Sequence, residues 1–511
     1  FISLVDSVQA AVDKIPVDEM GGRLPLFALF TIAEAVTPEL IAMLESDTGR
    51  KPSVTEAKKI YEVLAGRQVI AAVDGNVEKG LYLPRAISSV AWERLREKQP
   101  VLFRAMHAHA EFYERGRVDL DFELKGLKAF AAWTRFENPT WVQAVERWFG
   151  HAQWLSREQF EQMKPALVKI YLDAFWWWDD YLRSAATRRL GPALKRVAIQ
   201  QQDELWMNAL EKFSDHWVSS WDETVLRADP GQWHAVMDAI TALLSMFGLR
   251  RGVIPRQPAL RRIYILLCSF YGKALWYAGT ADAEHAEAAD AWLADAALAC
   301  RTQDYEDARD NPNEWIGSWA LLRRAEIWSA LDPGRSRGFL DGLDRTAIDD
   351  DDNDLRVGIA MLIGDMQWRS GGHALALDTY SRAILISYAY NVKQEWRRQA
   401  PNVYTKSLYA STIGRVEQRV AELERAGERE TIDTALAVMN RLFQPYWERV
   451  NRTTDPSAGA PGSVLPVPPP YADESDSIPL ESEYVENLEH LALLRESTIL
   501  EPNVLPADHD N

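Results

Sequence analysis

Cysteine is nearly missing from this chain: 511 residues hold two, Cys268 and Cys300. Both fall in apolar helical stretches, which reads as two buried thiols in a reducing compartment and argues against a disulfide framework. There is no CxxC and no HExxH, and His107 and His109 are two apart, a spacing that sends two imidazoles to different sides of a helix. Helical metal sites use i, i+3 or i, i+4, so no metal ligand set is assigned. The phosphate cradle Gly-x-x-x-x-Gly-Lys-Ser/Thr does not occur, nor does the nucleophile elbow Gly-x-Ser-x-Gly, and neither cysteine has the basic surroundings that make a reactive thiolate. The expectation is no catalytic residue and no enzyme activity within these residues. Basic charge is also short, with 57 Lys and Arg against 75 Asp and Glu and a net charge of −18. That balance argues against a broad nucleic-acid footprint. The longest apolar runs, Leu24–Val36 and Ile263–Ala278 (broken by Lys273), fall short of the ~20 residues that span a bilayer. With no secretory signal, the chain is expected in the cytoplasm, without a membrane partner.

What is abundant is helical pattern and tryptophan. Twenty tryptophans lie between Trp92 and Trp447, spread along the chain like wedges between packed helices rather than gathered into two interfacial belts. The most informative stretch is Ile359–Tyr388, which spells one helical hairpin of the 34-residue tetratricopeptide (TPR) type. Ile363 and Gly364 fill the Leu-Gly slot of its first helix, Gly371 the turn, and Ala376, Tyr380 and Ala383 the second helix. Small residues at 364 and 376 allow two helices close approach, and Tyr380 fills the space beside them. One such hairpin cannot bury its apolar face alone, so the expected fold is mainly α, a solenoid of stacked TPR-like hairpins. A weaker copy places Tyr271-Gly272 and Gly279 at the same offsets, followed after a four-residue insertion by Ala288 and Trp292, with Asp295 in the third slot. Gly317–Leu331 and Arg335–Leu343 make another hairpin around Asp332-Pro333-Gly334.

The first hundred residues follow a different plan. Thr37-Pro38 opens a short helix, and Ser53 and Glu56 are spaced as a capping box for the next. Val69–Val73 and Gly80–Leu83 then alternate around Asp74-Gly75-Asn76, a β-hairpin signal. Helix, helix, hairpin, helix is a winged-helix layout. The remaining expected helices are Ala86–Arg115 with a break at Pro100, Asp119–Thr134, Trp141–Trp154, Arg157–Arg188, Leu190–Val225, Gly231–Gly248, Pro258–Ala278, Gln394–Ala426 interrupted at Pro401, and Glu428–Val450. The expected domains are a linker or helix over 1–23, a winged-helix-like domain over 24–100, the repeat array over 101–450, and a flexible Pro-rich acidic tail over 451–511. In that tail lie a Pro-Pro-Pro-Tyr stretch at Val467–Tyr471 and a short amphipathic helix over 481–496 that could dock on the repeats.

A winged helix followed by helical repeats resembles the carboxyl-terminal half of STAND-type signalling NTPases, nucleotide-switched ATPases that include bacterial regulators and innate-immune sensors. The resemblance rests on Leu24–Gln99 and on the array to Val450. It implies a sensor or scaffold region whose repeats bind a protein or peptide ligand, with self-association also open. It further implies an upstream ATPase, so ATP or ADP would be held outside these residues; the opening at Phe1, directly on a helical pattern, fits a preceding domain. The family's histidine after the hairpin is replaced here by Leu81-Tyr82-Leu83-Pro84-Arg85, which leaves Arg85 as the one candidate phosphate contact. A DNA-binding transcriptional regulator and a freestanding TPR adaptor without ATPase remain as alternatives. For the first, the basic residues Lys58, Lys59, Lys79 and Arg85 are interleaved with Glu56, Glu62, Asp74 and Glu78, which breaks up a positive field.

Two local motifs invite sharper readings. Phe175-Trp176-Trp177-Trp178, followed by Tyr181, spreads large aromatics around a helix at about 100° per residue. Trp176, Trp177, Trp178 and Tyr181 are therefore candidate partner anchors, against the alternative of a helix covered on two sides by neighbouring hairpins. Asp349–Asp354 imitates a calcium loop, but Leu355 stands where the turn glycine belongs and Met361 where the bidentate glutamate belongs. Negative charge there instead suits the start of the following helix.

Overall fold

The computed structural model describes residues 23–33, 35–42, 53–65, 70–123, 139–178, 188–218, 223–301, 314–349, 353–396 and 403–434. The expectations for 1–22, for Tyr181, for Asp350–Asp352, and for the tail with its Pro-Pro-Pro-Tyr stretch and 481–496 helix lie outside these residues. The described part is mainly helical, at 82% helix, with two short strands. It divides into two compact units: residues 1–127, 131–171 and 186–211, and residues 128–130, 172–185 and 212–511.

The first unit begins with α1 (Arg23–Ile32), α2 (Pro38–Ala42) and α3 (Val54–Ala65). Thr37 caps α2 through its Oγ1, which accepts from Leu40 N at 3.3 Å. The capping box forms in both directions, Ser53 N donating to Glu56 Oε2 at 2.7 Å and Glu56 N to Ser53 Oγ at 3.2 Å. The strands are β1 (Ala71–Ala72) and β2 (Leu81–Tyr82), antiparallel, with Ala71 opposite Tyr82. They are shorter than expected and are not joined by a tight Asp-Gly turn. Two 3-10 turns, Val73–Gly75 and Val77–Lys79, fill the connection, and Asn76 holds the second by accepting from Glu78 N. The side-chain oxygen of Asn76 thus competes with a two-residue turn for the backbone. Val36 exchanges two hydrogen bonds with Leu81, at 2.7 and 2.9 Å, adding a third extended segment to the ribbon.

After the ribbon come α4 (Arg85–Lys98) and α5 (Pro100–Glu123), broken at Pro100 as proline's missing N–H requires. The core of this unit joins Ala28, Phe30, Val36, Leu81 and Ile87 to Phe103 and Met106, so it runs past residue 100. Helix α6 (Pro139–Ala152) packs along α5, with Trp148 Nε1 donating to Glu111 Oε1 at 2.8 Å. Next is α7 (Arg157–Trp178). The single helix expected over Leu190–Val225 is three: α8 (Gly191–Gln200), α9 (Leu205–His216) and α10 (Glu223–Leu226). The first break is made by side chains rather than by glycine or proline. Gln201 Nε2 donates to the carbonyls of Ala152, Gln153 and Leu155, while Gln202 takes a positive φ of 53°.

The second unit continues with α11 (Pro230–Met246), α12 (Pro258–Ala278), α13 (Ala283–Cys300), α14 (Glu314–Trp328), α15 (Pro333–Asp349), α16 (Asn353–Arg369), α17 (His373–Trp396) and α18 (Val403–Ala426). Each of these packs on the next in sequence, and α12, α14, α16 and α18 also touch one another in a row. Helix α17 runs to Trp396, so the helix expected to open at Gln394 starts instead at Val403. Asp282 caps α13 by accepting from His285 N at 2.9 Å; Asp332 does the same at the head of α15, accepting from Arg335 N at 2.9 Å.

Candidate functional site

Three consecutive hairpins of the second unit share one packing scheme. In α16–α17, Gly364 faces Tyr380 so closely that a Cβ there would lie 2.7 Å from Tyr380 Cδ1. Ala376, Tyr380 and Ala383 are each 0% exposed, Ile363 is half-buried, and Gly371 ends the turn at φ 84°. In α12–α13, Gly272 faces the second helix in the same way: a Cβ would meet Leu293 Cγ at 2.6 Å and the Ala289 carbonyl at 3.1 Å. Ala289, Leu293 and Ala296 are fully buried there, whereas Ala288 is exposed. The expected register at 288, 292 and 295 is therefore one residue early. The connector is five residues longer than in α16–α17, not four, and the third slot holds Ala296 rather than Asp295. In α14–α15, Ala325 takes the glycine's place, with Ser336 Oγ donating to its carbonyl at 2.7 Å. Ser336, Leu340 and Leu343 then repeat the buried i, i+4, i+7 series.

Charged joints tie the hairpins together. Asp290 on α13, 3% exposed, accepts from Arg324 Nε of α14 at 2.6 Å and from Arg335 Nη2 of α15 at 2.7 Å. Arg335 also lies 3.7 Å over the Trp328 ring. One hairpin later, Asp365 on α16 accepts from Tyr380 Oη at 2.5 Å and from Arg415 Nη1 of α18 at 3.0 Å, with Arg419 Nη2 at 3.5 Å. Burial and the Asp365 carboxylate together push the Tyr380 phenol well above its ordinary range. These groups join the helices through ion pairs and a phenol–carboxylate hydrogen bond.

The other candidates are placed as follows. Trp176 is 7% exposed, its ring 5.7 Å from Phe270, and Asp173 one turn earlier binds Arg262 Nε at 2.6 Å. Trp176 is thus a packing residue and not an exposed anchor. The side chains of Trp177 and Trp178, and Tyr181 entirely, lie outside the described residues. Arg85 is the first residue of α4 and is exposed; its carbonyl accepts from Ser89 Oγ at 2.6 Å. Cys268 and Cys300 are both buried free thiols, and burial pushes the Cys268 thiol far above its usual range. Among the described residues no three His, Cys, Asp or Glu side chains are grouped to hold a metal ion. Among them, too, no helix is long and apolar enough to cross a membrane.

Sequence reasoning missed a contact in the first unit. His107 and His151, both buried, meet Nδ1 to Nδ1 at 3.1 Å. His107 shows in the sequence only as half of a His-Ala-His triplet; its partner is forty-four residues on, and only the α5–α6 packing brings them together.

No family model, no curated protein and no solved structure matches this chain.

Proposed function

We propose that residues 258–426 form a TPR-like solenoid that binds a protein or peptide ligand, as the sensor or scaffold region of a nucleotide-switched signalling protein. The observation that carries this reading is the shared scheme of α12–α13, α14–α15 and α16–α17. In each, a small residue of the first helix meets a buried i, i+4, i+7 series on the second. A repeated hairpin stacked on its neighbours buries its core in one direction and leaves an extended surface for ligands in the other. The direct contacts along α12, α14, α16 and α18 support these helices as the inner, ligand-facing row. The winged-helix reading of the first unit draws support from the Val36–Leu81 bridge, which makes a three-segment ribbon beside α3 and α4. In this reading the winged helix passes ligand occupancy to an ATPase encoded upstream, and ATP or ADP binds there.

The test is a peptide-library selection against the full chain, followed by charge reversal at half-buried Arg323 of α14 and exposed Arg369 of α16. Ligands that compete with one another and are lost on those reversals support the reading. Selection that yields only ligands indifferent to both helices overturns it. Sequencing upstream of Phe1 separates the switch from its alternative: a P-loop domain is expected, and a freestanding adaptor would have none.

A further inference from the structure

We propose that His107 and His151 form an acid-opened latch between α5 and α6, closed when both imidazoles are neutral and released when the pair takes up protons. The pair sits in an aromatic box. Phe103 lies 4.5 Å from the His107 ring and Trp154 5.9 Å, edge or tilted, with Trp92 closing the far side against both. His107 Nε2 is buried without a hydrogen-bond partner. Neutral imidazoles satisfy the remaining contact in one way: one Nδ1–H donates and the other Nδ1 accepts. A first added proton keeps that bond but places a net charge among aromatic rings. A second turns both Nδ1 atoms into donors, and the bond is gone.

No opposite charge comes to the pair's aid. On α5 the nearest carboxylate, Glu111, is already held by Arg115 Nε at 3.1 Å and by Trp148 Nε1. On α6, Arg147 precedes His151 by one turn and opposes its protonation. Helix α4 presents Trp92, whose ring carries Arg96 at 4.9 Å. Helix α8 packs on α6; it buries Ala193, Leu194 and Val197 and keeps Lys195 and Arg196 exposed. The described side chains of α1 include no titratable group.

Both imidazoles are shifted downward, His107 well below the ordinary value and His151 to about 4, chiefly by burial. The sign follows: the opened state binds protons near pH 6.5, whereas in the closed state His151 binds its proton only near 4 and His107 well below its ordinary value. The closed state is therefore favoured above pH 6.5 and loses ground as pH falls toward 4. Glu111, raised by burial, works in the opposite direction, since its closed state gains protons on acidification.

Hydrogen exchange of the full chain at about pH 8 and about pH 5.5, corrected for intrinsic rates, tests the latch. Opening of peptides from 100–123 and 139–152 is expected to rise about tenfold from His151 alone, with no matching rise over α12–α13. Asparagine mimics the Nδ1 contact without titrating, so the H107N/H151N variant is expected to lose the pH response, and E111Q to keep it. The same response in H107N/H151N overturns the proposal. Should that variant open already at pH 8, imidazole NMR of the native chain decides: midpoints near 6.5 with undisturbed helix protection overturn the latch, and depressed midpoints linked to opening support it.

Discussion

Placing a methyl group at Gly364 would drive it into the Tyr380 ring, because the two helices approach with no room for a Cβ. Gly364→Ala is expected to cost about 1–3 kcal/mol, the usual range for overpacking a filled core. Urea unfolding measures it, and G364A/Y380L should recover part of the loss by freeing the space. Asp290 makes the complementary case. It is buried and shared by two arginines; Asp290→Ala takes the carboxylate partner from Arg324 and leaves Arg335 with Glu287 alone, and is expected to cost about 3 kcal/mol. A double-mutant cycle with Arg335→Ala should show strong coupling; additive losses would mean that the joint holds nothing together. The residues of the α16–α17 hairpin were legible at this scale because glycine, alanine and tyrosine announce close approach and gap filling. Asp290 and Asp365 were not. A lone aspartate in an acidic helix looks like solvated surface until its arginines arrive from other helices.

At the scale of elements, helix ends marked by proline or glycine were readable: Pro100 starts α5, Pro258 starts α12 and Gly279 follows α12. The break between α8 and α9 was not, because Gln201 makes it by capping carbonyls near the end of α6, a contact no local pattern encodes. Gln201→Ala is expected to remove this donor from the carbonyls of Ala152, Gln153 and Leu155, of which Ala152 keeps Leu155 N, and to lower stability by about 1–2 kcal/mol. Thermal unfolding of the variant checks this, together with exchange at the end of α6. The register of α12–α13 shows the same limit. Trp292 drew the eye as the aromatic slot, yet it is only half-buried, its ring 4.2 Å from Tyr271. Connector length is free to vary in a hairpin repeat, so counting across it slips by a residue; the buried series 289, 293 and 296 is set by the close approach at Gly272 instead.

For the whole molecule, the acidic balance governs behaviour in solution. The net charge of −18 at neutral pH falls to zero near pH 5.1, where electrostatic repulsion between chains disappears. Light scattering across pH 7.5 to 5 should show association rising toward that point and dispersing again on return to neutrality. The latch between His107 and His151 is expected to open in the same direction but at higher pH. Helix exchange that changes before scattering would separate the two effects. The general plan of a mainly helical chain was visible in composition and period alone, since helical spacing persists over almost every described segment. The meeting of α5 with α6 was invisible, because it depends on how distant helices are brought side by side.

The two sealed sulfurs have a practical consequence. With Cys268 fully enclosed and Cys300 nearly so, the folded chain is expected to ignore maleimide until denaturant admits it, a result that mass spectrometry reads directly. A single cysteine introduced at an open position such as Leu298 or Leu375 would then be the sole reactive handle. Pairs of such handles would carry dyes or spin labels, turning the spacing between hairpins into a ruler that needs no background thiol removed.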